Sequence, residues 1–267
     1  RLRRRLSARQ LEAISQQLTD RDRQALLQVS RFGVMSGRQL QALLWSGGSP
    51  SARGRVARRG LSRLARLDVL QPLARRVGGE RSGSASTTFA VGRAGQYLLG
   101  SGRRVRAAHT PGARYLAHRL AVAELYVELV ETGRHGGSVE LLSFDPEPEC
   151  WRPYMTGFAT RQVLKPDAYL LLATATREFA WFIEQDMATE ALPTIKAKAL
   201  RYHDYYRTGS EQTERGMFPR VLWIVPDTRR AEQVAETLGR LPAQAQHLQL
   251  VTTTTEATTL LTNRGSS

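Results

Sequence analysis

Cysteine is nearly absent: among 267 residues only Cys150 carries a thiol. One thiol cannot close an internal disulfide and is too few for a zinc ribbon, as expected in a reducing compartment. Long apolar runs are missing as well. None reaches the roughly 20 residues that cross a bilayer, and no apolar signal core follows the arginine-rich start, so a cytoplasmic protein without a membrane partner is expected. The first residue is arginine, not methionine, which is expected of a piece of a longer chain. Phosphate-cradling loops are lacking: GSGRR and GRAGQ have neither the spacing nor the lysine of a P-loop, so a nucleoside triphosphatase reading has no support. The five histidines are scattered with no His-x-His pair. Lysine is confined to Lys165, Lys196 and Lys198, although lysine and arginine together number 39.

What is present is charge, unevenly placed. Residues 1–110 hold 22 arginines against 5 acids, an excess of 17, whereas residues 111–267 hold 17 basic and 19 acidic residues. A codon bias toward arginine would explain why it replaces lysine but not why the excess sits in one half. The first half therefore faces an acidic partner, and nucleic acid fits better than a membrane because the arginines fall within a helical pattern.

Residues 1–18 form a basic helical arm, with Leu6, Leu11, Ile14 and Leu18 near helical spacing. Thr19 with Asp22 starts a helix whose stripe is Ala25, Leu26, Val29 and Phe32, and Gly33 ends it. Ser36 with Gln39 repeats the capping pattern, and Ser49-Pro50 opens a third helix with Val56, Gly60, Leu64 and Leu67 facing inward. Arg53, Arg55, Arg58, Arg59, Arg63 and Arg66 take most of its remaining circumference. Two strands over 69–77 and 87–91, joined by GGERSGSAS, read as a wing carrying Arg75, Arg76 and Arg81, and GRAGQYLL closes the unit. Residues 19–100 are thus expected to be a winged helix-turn-helix that binds double-stranded DNA, its third helix in the major groove. Residues 101–112 are the expected linker.

The second half, 113–262, opens with a helix over 114–131 that carries Glu124 amid an apolar stripe. A strand over 139–144 follows, and DPEPECWRP is expected as a loop or strand edge. Two short apolar runs, 168–174 and 178–183, suit neighbouring buried strands. Asp167 opens the first; Glu184 and Asp186 close the second and share a side by the period of two. Three acids converging there would repel one another unless a divalent metal sat among them. A helix over 193–207 with Ile195, Ala199, Tyr202 and Tyr206 on one face, a strand over 221–225, a helix over 228–241 and a strand over 248–253 complete a mixed α/β sheet flanked by helices. Tyr202, Tyr205 and Tyr206 with His203 raise a rival chemistry, covalent attack by tyrosine, but Tyr202 and Tyr206 fall on the apolar stripe and read as core.

An acid on an initial helix, Pro-Asp on one strand and Glu184-Gln185-Asp186 on the next resemble the PD-(D/E)xK restriction-endonuclease-like layout, with aspartate where the lysine is expected. The wider pattern, PDAYLLL followed by FIEQDMATEALPTIKAKALRYHDYY behind a winged helix, resembles the replication-relaxation family of plasmids and integrative elements, and is similar to relaxases built on a restriction-endonuclease fold, from about Thr19 to Thr255. That resemblance implies Mg²⁺ or Mn²⁺ on Asp167 and Glu184, with Asp186 and Glu124 as further ligands and Lys198 supplying the missing positive charge from a helix. It implies site-selective nicking or relaxation of DNA at a replication or transfer origin, where single-stranded DNA, relaxosome or replication proteins, and a second copy of the chain are conceivable partners. An inactive accessory DNA-binding protein, or a transcription regulator, is the alternative.

Overall fold

The computed structural model describes residues 6–73, 86–100, 112–156 and 160–263. They form two compact units, Arg1–Val127 and Glu128–Ser267. The division falls inside a helix and not at 101–112, of which 101–111 lie outside the described residues.

In the first unit, Ser7 caps α1 (Ala8–Gln17) in a reciprocal box with Gln10. Thr19 and Asp22 do the same for α2 (Asp20–Phe32), and Ser36 and Gln39 for α3 (Gly37–Leu44). Each such cap satisfies two backbone donors and stabilises its helix by about 1 kcal/mol. Gly33, at φ 77°, ends α2 in a conformation that favours glycine. Between α2 and α3 the chain makes β1 (Val34–Ser36), a strand too short to show a period in sequence. Ser49 then caps α4 (Pro50–Arg66).

The inward face of α4 is Ala57, Leu61 and Leu64, and Val56 is 48% exposed. The expected stripe is therefore corrected by one position at Val56. After α4 come β2 (Leu70–Pro72), β3 (Thr88–Val91) and α5 (Arg93–Leu98). β3 lies between β1 and β2, antiparallel to both. The connecting residues 74–85, with Arg75, Arg76 and Arg81, lie outside the described residues. α5 packs so closely that a Cβ on Gly92 would stand 2.2 Å from the Asp68 carbonyl oxygen, and one on Gly95 2.3 Å from that of Val69.

The long helix α6 (Ala113–Arg134) gives its first part to this unit. Arg119 Nε donates to the Phe32 carbonyl at 2.9 Å, Gln39 Nε2 to the Leu120 carbonyl at 2.9 Å, and the Phe32 and Tyr126 rings lie 5.1 Å apart. These contacts explain why the compact unit runs on into the helix.

The second unit contains β4 (Glu140–Pro146), β5 (Arg152–Met155), β6 (Arg161–Leu164), β7 (Ala168–Ala173), β8 (Glu178–Gln185), α7 (Leu192–Thr208), α8 (Ser210–Arg215), β9 (Arg220–Val225), α9 (Thr228–Gly239), α10 (Ala243–Gln246), β10 (Gln249–Thr253) and α11 (Ala257–Asn263). Its five-stranded sheet runs β10-β9-β8-β7-β4, parallel from β8 to β10 and antiparallel from β8 to β4. The expected mixed sheet with helices is what the chain forms.

DPEPECWRP ends β4 and begins a separate hairpin, β5 with β6. Arg152 could not be read as an inward residue because its burial depends on Glu211, 59 positions away, whose carboxylate accepts from its Nε at 3.1 Å. A core of Tyr169, Phe182, Trp223, Ile195, Ala199 and Tyr202 joins one sheet face to α7, with Val234 and Leu238 of α9 extending it. The buried α7 tyrosines are Tyr202 and Tyr205; Tyr206 is 40% exposed, which corrects the expected stripe at its last turn. No helix among the described residues is long and apolar enough to cross a membrane.

Candidate active site

The antiparallel register pairs Ala168 with Ile183, so one step outward Asp167 faces Glu184 at the same end of β7 and β8. The Asp167 N–H donates to the Ile183 carbonyl at 2.9 Å, and its Oδ2 accepts from the Gln185 N–H at 2.7 Å. Glu184 is 3% exposed. Its Oε1 accepts from the Tyr202 hydroxyl at 2.6 Å and its Oε2 from Lys198 Nζ at 3.1 Å. Lys198 and Tyr202 stand four residues apart on α7, one turn along the same face, and both reach one carboxylate.

Burial raises the Glu184 carboxyl to about 7, and the negative charge of Asp167 pushes the same way; Lys198 and Tyr202 act against them. Burial opposes the charge on Lys198, yet Glu184, Glu190 and Asp167 outweigh it and hold the ammonium well above its ordinary value. The Tyr202 hydroxyl is held far above its own by burial and by Glu184. The Cys150 thiol, buried and donating to the Pro166 carbonyl at 3.0 Å, is likewise raised, by burial and then by Asp167.

The expected convergence of three acids does not form. Among the described residues no group of three or more His, Cys, Asp and Glu side chains is placed to hold a metal. Asp186 lies just past β8, and its Oδ2 accepts from Arg230 Nε of α9 at 2.6 Å, while Arg230 Nη2 donates to the Glu190 carbonyl at 2.6 Å. Its other oxygen, Oδ1, is buried without a hydrogen-bond partner. Glu124 belongs to the first unit, where Arg38 forms an ion pair with its Oε1 and Gln39 Nε2 donates to its Oε2 at 2.8 Å. Both acids are thus committed to arginines, 44 and 86 positions away, which no local pattern pairs with them. Glu190 is a group sequence reasoning missed: its Oε1 accepts from Lys198 Nζ at 2.8 Å. It arrives on the turn after β8, where Ala188 has φ 55°, and no periodicity marks such a position.

The sequence model of one protein family, described as Replication-relaxation, matches residues 26–221. The chain belongs to the replication-relaxation family. For this member no curated protein matches. A solved structure of the restriction endonuclease FokI covers 94% of the chain and 68% of its own at 10% identity, with a TM-score of 0.28, a likeness too slight to bear on fold or chemistry. Membership in the replication-relaxation family supports a DNA-processing role in replication.

The arginines of α4 divide into two groups. Arg63 forms an ion pair with buried Asp22 and its Nη1 donates to the Gln17 carbonyl at 3.0 Å; Arg53 Nη1 donates to the Ser46 carbonyl at 3.3 Å. Both are half-buried and tie α4 to its neighbours. Arg55, Arg58, Arg59 and Arg66 are exposed and, among the described residues, make no ion pair. They line a groove of about 720 Å³ running from the start of α2 along α4.

Proposed function

We propose that this member of the replication-relaxation family is a DNA-binding protein of a mobile element that nicks or relaxes DNA at a replication or transfer origin, using Asp167, Glu184 and Lys198. The observation that carries the reading is the meeting of two carboxylates with a lysine ammonium at one strand end, Lys198 standing in from α7 for the lysine absent at position 186. On this reading the first unit is a winged helix whose α4 enters the major groove, and its partner is duplex DNA.

The donor set fits Mg²⁺ or Mn²⁺. Asp167 and Glu184 offer hard oxygen donors close enough for one charge to raise the other, and a dication removes that repulsion. Such an ion would be held by these two residues, with water and phosphate oxygens completing its shell, and would supply Lewis acidity toward the phosphate and the attacking water. The chain's own groups do the positioning. The Gln185 N–H fixes one Asp167 oxygen, and Tyr202 fixes the Glu184 carboxylate. Lys198 brings a positive charge to the place where a phosphate oxygen gains negative charge during cleavage, and Glu190 keeps that ammonium from pairing with Glu184 alone.

A second reading, a DNA-binding accessory without cleavage, draws support from Glu184, both of whose oxygens already have partners, and from the diversion of Asp186 to Arg230. Incubating the purified chain with supercoiled plasmid bearing the element's own origin separates the two. Nicked circles that require Mg²⁺ or Mn²⁺ support the first reading; origin binding with intact supercoils supports the second.

A further inference from the structure

After its first-turn proline, α4 has three aliphatic residues larger than alanine, Val56, Leu61 and Leu64, and the helix buries the two leucines at 4% and 0% exposure. Val56 stands outward at 48%. Its neighbours on that face are Arg55 beside it and Arg59 one turn on, both exposed and unpaired among the described residues. Behind the face, the Trp45 ring lies against Gly60, where a Cβ would come within 3.1 Å of it, and Arg21 stacks over the same ring at 5.7 Å. The groove is thus walled by cations and floored by a fixed indole, with one aliphatic group projecting.

Guanidinium groups on such a face satisfy phosphates or guanine edges, but an isopropyl group can do neither. The apolar feature that B-DNA offers in the major groove is the C5-methyl of thymine. We propose that Val56 is a specificity-determining residue that packs on a thymine methyl in the target duplex, between bases or phosphates engaged by Arg55 and Arg59. This rests on the reading of α4 as the helix that enters the major groove. Burial of one methyl group is worth about a fourfold change in affinity.

The full chain is used to select bound duplexes from a random pool, and each thymine of the selected site is then replaced singly by deoxyuridine, which removes only the methyl. The wild type is expected to lose about fourfold in affinity at one thymine per bound subunit, and Val56→Ala to bind thymine and deoxyuridine alike, with unchanged thermal unfolding. Duplex binding that Arg55→Ala and Arg59→Ala weaken, but in which no methyl matters or Val56→Ala still discriminates, overturns the inference and leaves the reading of α4 standing. Duplex binding indifferent to both arginine variants overturns the reading of α4, and the inference with it.

Discussion

The Tyr202 hydroxyl donates to Glu184 Oε1 at 2.6 Å, from a residue only 1% exposed. The same contact raises its proton affinity, because a phenolate there would face a buried carboxylate. On the proposed reading Tyr202 braces Glu184 and does not attack DNA. Tyr202→Phe is expected to cost about 1 to 2 kcal/mol of stability by leaving a buried Glu184 oxygen without its donor. It should leave DNA cleavage detectable, and neither wild type nor variant should form a detergent-resistant adduct with labelled DNA through this residue.

Glu184 gives the fold a pH dependence. Its carboxyl, raised from 4.5 to about 7 by burial and by Asp167, keeps a proton in the folded state that the unfolded chain has already released. Its contribution to stability is complete below about 4.5 and is lost as pH rises through about 7. The thermal midpoint of metal-free protein should fall across that window. Glu184→Gln should flatten the fall, and saturating Mn²⁺ should oppose it.

Restoring a lysine at position 186 should fail. Asp186 and Arg230 have side chains 2% and 11% exposed, and their pairing anchors the turn that carries Glu190. Asp186→Lys places two cations together where one carboxylate had balanced one. A loss of about 3 kcal/mol or more is expected in urea unfolding, with no gain in cleavage.

The α4 arginines should separate by role. Arg63→Ala breaks the link to Asp22, itself part of the cap of α2, and should cost about 1 kcal/mol in denaturant unfolding. Arg59→Ala should leave stability within about 0.5 kcal/mol while lowering the slope of log affinity against log salt by about one, the share of one phosphate contact. Fluorescence anisotropy on duplex DNA at several salt concentrations checks the second half.

Much of this was legible where local chemistry decides structure. Thr19 with Asp22, Ser36 with Gln39 and Ser49 before Pro50 mark the helix starts because a cap is a contact across three residues. The runs at 168–174 and 178–183 mark β7 and β8 to within two residues because strands covered on both faces leave few polar interruptions. Side-chain destinations were not legible. Arg38 lies 86 residues from Glu124, and Arg230 lies 44 from Asp186; only the assembled fold brings them together. Val56 was misplaced because the helix buries glycine and alanine at 54 and 57, small residues that carry little hydrophobic signal. β5 was foreseen only as a loop or strand edge and β6 not at all, because Arg152, Pro153 and Arg161 break the apolar alternation of the strand pair, and the partner that buries Arg152, Glu211, lies 59 positions away. Lys198 was reachable because lysine is so scarce that its clustering near Asp167 and Glu184 stood out.

The central claim is that Asp167, Glu184 and Lys198 act together on a phosphodiester. The rate at which supercoiled origin DNA is nicked in Mn²⁺, measured for the wild type and for Asp167→Ala, Glu184→Ala and Lys198→Ala after circular dichroism has shown each to be folded, tests it most directly. Each variant is predicted to be slower by about a hundredfold or more. Equal rates in all four proteins, or no nicking by the wild type, would contradict the claim.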